Sequence, residues 1–137
     1  MTDKETPAQW LAVFSAIRED AKRIIQKVDD AVAAENEQAT IEALKEAAAN
    51  FPAVIDRLKA VPDPAEKDLK EIKKKFQAAY KVFFDGLNYG LDYFNVTSPW
   101  NRSVWWSTAE VATTKLGEAN TAYIRASKRL KASKDQG

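Results

Sequence analysis

The chain has 137 residues, 45% of them apolar and 30% charged, with a formal net charge of +1. That length supports one core, the apolar share excludes a disordered chain, and the near-neutral balance supplies no global field for nucleic acid or an anionic membrane. Cysteine and histidine are absent, which excludes disulfides, the usual zinc sites, thiol nucleophiles and imidazole acid–base chemistry.

Glycine (4) and proline (5) are scarce, and no run of alternating β-branched residues could build a sheet. The first helix is predicted over 7–35, with Pro7 in the first turn, where its missing N–H costs nothing. Its apolar seam reads Trp10, Phe14, Ile17, Ala21, Ile24, Val28 and Ala31, in steps of four and three. The polar stretch Glu35 to Gln38 reads as a turn. A second helix over 38–60 carries the seam Ile41, Leu44, Ala48, Phe51, Ile55 and Leu58. Pro52 interrupts its hydrogen bonding, but the seam stays in phase across it, which predicts a kink and not a break.

Val61-Pro62-Asp63-Pro64 is the clearest punctuation in the chain. It predicts a third helix over 64–94 with Asp63 as cap, Pro64 in first position and Glu66 completing a capping box. The seam there runs Leu69, Ile72, Phe76, Ala79, Phe83, Gly86, Gly90 and Tyr93. Ser98 caps a fourth helix over 99–131, whose seam is Trp105, Ala109, Ala112, Leu116, Ala119, Tyr123, Ala126 and Leu130. Four long helices with short connections predict an all-α, antiparallel up-down-up-down four-helix bundle. Residues 1–137 read as a single domain, with 1–6 and 132–137 frayed.

Residues 83–106 depart from the plain pattern. They hold Phe83, Tyr89, Tyr93, Trp100, Trp105 and Trp106 among other aromatics, and the bundle topology gathers them at one end. Gly86 and Gly90 lie on the buried seam of that stretch, where each glycine costs about 1 kcal/mol against alanine. Packing is the plain account: aromatic residues at helical spacing are usually core, and a seam without side chains admits a bulky neighbour. Two functional accounts stand beside it. In the first, this non-enzymatic aromatic end is a protein–protein interaction or self-association surface, built from rigid rings that bury much area for little entropy. In the second, a cavity between the third and fourth helices near Gly86 and Gly90 holds a small apolar ligand.

Asp85, Asn88 and Asp92 share a helix face and, with Glu110, offer oxygen ligands to a hard cation; a solvated face explains them better. The lysine stripe from Lys67 to Lys81 is interleaved with Asp68 and Glu71 and carries no nucleic-acid signature. Neither a catalytic constellation nor a cofactor motif is present, so no cofactor, metal or nucleic acid is expected. The expected partner is another protein or a second copy of the chain. The polar start MTDKETPAQ and the lack of a long apolar run predict a cytoplasmic protein with no membrane insertion.

Overall fold

In the computed structural model, which describes residues 6–136 and the side chains of 6–132, four helices follow one another without a strand. Residues 1–5 and 137, where part of the expected fraying falls, lie outside the described residues. The helices are α1 (Pro7–Ala33), α2 (Glu37–Ala60), α3 (Lys67–Asn95) and α4 (Pro99–Gln136). Each packs on the next along the chain, giving the all-α four-helix bundle. None is long and apolar enough to cross a membrane.

Local chemistry sets the boundaries. Thr6 accepts from the Gln9 amide while the Gln9 side chain accepts from Thr6, a reciprocal cap that starts α1. Asn36 caps α2 by accepting from Ala39, and Glu35 before it takes a left-handed turn with φ of 55°. The turn is therefore shorter than the four polar residues foreseen, because Glu37 and Gln38 already belong to the helix. Pro52 sits inside α2, and the helix runs through it.

α3 begins three residues later than expected. Asp63 does not cap it: its carboxylate accepts from the Lys73 ammonium at 2.8 Å, which also donates to the Val61 carbonyl at 2.6 Å. Nor does Glu66 complete a capping box, because both it and Asp68 pair with Arg129 of α4. Charged partners outbid a backbone amide for these carboxylates. At the other end of the chain α4 continues to Gln136, past the end expected at 131. No glycine or proline interrupts residues 118–136.

The core is one cluster spanning all four helices, with Trp10, Phe14, Phe51, Leu58, Leu69, Phe76 and Tyr80 almost wholly buried. The Trp10 indole donates to the Pro62 carbonyl at 2.9 Å, pinning the start of α1 to the end of α2. On α2 the buried column is Thr40, Leu44, Ala47, Phe51, Val54 and Leu58, so Ile41, Ala48 and Ile55 stand half-buried at its edge. On α3 the buried face is wider than one seam. Lys73, Tyr80 and Leu87 form a further row at seven-residue spacing beside Leu69, Ile72, Phe76 and Ala79. Such breadth follows from position: α3 lies between α2 and α4 and buries a side against each.

Candidate functional site

Of the two seam glycines, Gly90 is a socket. A Cβ there would stand 2.8 Å from Nε1 and 2.9 Å from Cε2 of Trp105, and 3.0 Å from Cδ1 of Leu44. The Trp105 indole occupies that space and meets Tyr93 at 5.6 Å and Phe94 at 5.4 Å between ring centres. Phe83, Phe84, Phe94 and Trp105 are thus half-buried against the edge of the core. Gly86 is different, because a Cβ would meet Thr108 Cγ2 at 3.5 Å and the Ala109 nitrogen at 4.0 Å, both ordinary contacts. Outside the core, Trp100 is 75% exposed, Val96 59% and Trp106 49%, while Tyr89 also faces solvent.

The fourth seam, between α1 and α4, is closed over only half its length. Near the start of α1 the hydroxyls of Ser15 and Tyr123 meet, and Arg18 Nε donates to Asn120 Oδ1 at 3.0 Å. The Arg18 guanidinium also lies 4.4 Å above the Tyr123 ring, a favourable cation–π arrangement. Beyond Asn120 the facing side chains of α4 shrink to Gly117, Thr113 and Ala109, and the helices barely approach each other. A cleft of about 740 Å³ opens there. Its walls are Ile25, Val28, Val32 and Ala33 on α1, and Ala109, Thr113, Leu116 and Gly117 on α4. Leu44, Phe83, Gly86 and Leu87 form the floor, and Trp105 and Trp106 stand at the aromatic end.

Four of the residues singled out in the sequence therefore meet in one place: Phe83, Gly86, Trp105 and Trp106 line the cleft. Gly90 and Tyr93 support it indirectly, by seating Trp105. Tyr89 and Trp100 lie outside it. The cavity foreseen between α3 and α4 opens instead between α1 and α4, because α3 and α4 are the most closely packed pair in the bundle. Sequence reasoning missed the α1 wall and Gly117. A signal was present: residues 106, 110, 113, 117 and 120 are one helix face spaced four and three, and they read Trp, Glu, Thr, Gly, Asn where a closed seam needs large apolar side chains.

Polar groups on the lining are few. Asp29 on the α1 rim and Glu110 on the α4 rim are both exposed, and neither makes an ion pair among the described residues. Although Asp29 is open to solvent on its outer side, the protein packed behind it desolvates its carboxyl and raises its pKa, and neighbouring Asp30 adds to the effect. No lysine or arginine lines the cleft. The oxygen set considered for a cation is dispersed: Asp85 pairs with Lys81, the Asn88 amide donates to the Phe84 carbonyl, and Glu110 belongs to the cleft. Among the described residues no three acidic side chains gather as metal ligands. Comparison with protein-family models, curated proteins and solved structures finds no match for this chain.

Proposed function

We propose that this protein binds a small apolar ligand in the half-open cleft between α1 and α4. The size and lining of that cleft carry the reading. Its volume of about 740 Å³ lies within the roughly 300–1,000 Å³ of small-molecule sites, and its surface is mainly aliphatic and aromatic with a few polar groups at the rim. Gly117 supports the same use. It sits in the middle of α4 with nothing within 4 Å of where a Cβ would be, so no neighbour in the bundle requires a glycine there. A guest lying against the helix backbone would.

The test uses that position. Gly117→Phe adds a ring at a position where a Cβ meets nothing within 4 Å, and it improves helix propensity. A neutral apolar fluorophore such as N-phenyl-1-naphthylamine is expected to bind the parent protein saturably, one to one. The variant is expected to lose that binding while keeping its helical circular dichroism and thermal midpoint. Undiminished binding by the variant would remove the cleft from consideration.

A second reading, docking of a partner protein or a second copy onto the aromatic end, is favoured by the exposure of Trp100, Val96 and Trp106 at one end of the bundle. Trp100 lies outside the cleft, so Trp100→Ser separates the two. Ligand binding should survive that change, whereas concentration-dependent assembly seen by sedimentation should be lost if docking is the function.

A further inference from the structure

Resting on the cleft as a ligand site, we propose that its guest is a cationic amphiphile, an apolar body bearing a protonated amine or quaternary ammonium held between Asp29 and Glu110. The case begins with how the bundle handles charge at its other seams. There several acidic groups meet a cation from a neighbouring helix: Asp20 meets Arg57, Glu46 meets Lys27, and Asp68, with Glu66 just before α3, meets Arg129. The seam between α1 and α4 breaks that habit. Its register is fixed by Ser15 against Tyr123 and Arg18 against Asn120. Carried along two antiparallel helices, the same register sets Asp29 level with Ala109, the residue before Glu110.

Asp29 and Glu110 therefore stand on opposite rims of the open half of the seam, the only ionisable side chains on its lining. The nearest guanidinium along that seam, Arg18, is already engaged by Asn120, Glu19 and the Tyr123 ring. Two carboxylates on the rim with no basic side chain on the lining make the field of the cleft complementary to a positive charge. Partial desolvation of Asp29 strengthens its attraction to a cation above its value in open water. Trp106 lies one turn before Glu110 on α4 and borders the same space. Its ring offers a face on which an ammonium is held by cation–π attraction. The aliphatic floor then takes the hydrocarbon part. A second copy of this chain fits poorly, since it would bring the same two carboxylates to the same place.

Three probes sharing a decyl chain test this: decyltrimethylammonium, decyl maltoside and decyl sulfate, titrated calorimetrically below their micellar concentrations. The cation is expected to bind roughly tenfold more tightly than the neutral probe, the combined effect of two rim charges and one aromatic face. The sulfate should bind weakest, and added salt should narrow the gap. The double variant Asp29→Asn, Glu110→Gln should bring the ratio of cation affinity to neutral-probe affinity down to about one. Equal binding of cation and neutral probe by the parent protein would overturn the charge assignment and leave the apolar site standing. If no probe binds, the site itself fails, and the charge assignment with it. Dimerisation abolished by Gly117→Phe would assign the cleft to a second copy and overturn the proposal.

Discussion

Three glycines in helices illustrate how one residue type serves three different surroundings. Gly90 is held by contact, since a Cβ would enter the space of Trp105 and Leu44. Gly90→Ala is expected to cost about 1–3 kcal/mol through overpacking, despite alanine's better propensity. Gly86→Ala meets the Thr108 methyl and the Ala109 nitrogen at ordinary van der Waals distances, so it should keep most of alanine's gain in helix propensity, about 0.5–1 kcal/mol. Gly117→Ala meets nothing and is expected to stabilise by about 0.5–1 kcal/mol. Urea denaturation of the three variants gives the order directly; a Gly90→Ala protein more stable than Gly117→Ala would contradict the packing described here. Periodicity alone put Gly86 and Gly90 on a buried seam but could not distinguish them. What separates them is an indole fifteen residues away in the sequence and on another helix.

Among the elements, the seams of α1 and α3 were legible because their large apolar residues recur at steps of three and four and become the core. The row Lys73, Tyr80, Leu87 was not, since a lysine and a tyrosine do not read as buried until the helix is known to lie between two others. The start of α3 was misplaced for a related reason. A cap depends on which partner wins a carboxylate, and both Asp63 and Glu66 are taken by cations distant in sequence. Lys73 has the larger structural part in that arrangement. Its stem is buried and its ammonium closes the connection from α2 to α3 by bonding both the Val61 carbonyl and Asp63. Lys73→Met keeps most of the volume and deprives that carbonyl of its donor, for an expected loss of about 1.5–3 kcal/mol. Asp63→Asn should cost less, because Asp63 is largely exposed and the bond to Val61 survives. Thermal melts of the two variants measure the difference, and the reverse order would show that the carboxylate is the anchor.

At the scale of the whole molecule, a single core reaches into every helix, while the fourth seam is left open at one end, where α4 presents Ala109, Thr113 and Gly117. The topology followed from four seams and short connections; the open half did not, because its one sign, the face Trp106, Glu110, Thr113, Gly117 and Asn120 of α4, reads equally well as a solvated helix face. A core shared by all four helices also makes its buried titratable group report on global stability. Tyr80 packs between Phe51 of α2 and Phe76 of α3 at ring-centre distances of 5.4 and 5.6 Å. Burial pushes its phenol pKa far above the ordinary 10.0, against a smaller opposing pull from Arg18. An unfolded chain releases that proton near pH 10 and the folded one holds it, so above that pH the native state binds more protons. The contribution is complete below pH 10 and declines as pH rises toward the native pKa, by about 1.4 kcal/mol per pH unit for this one group. Tyr80→Phe keeps the ring and removes the proton. Its urea-denaturation free energy should therefore fall less steeply between pH 10 and 11.5 than the parent's, the two curves separating by roughly that slope. Parallel curves would mean that the Tyr80 hydroxyl reaches water in the folded protein, and that the centre of the bundle is open where it is described as closed.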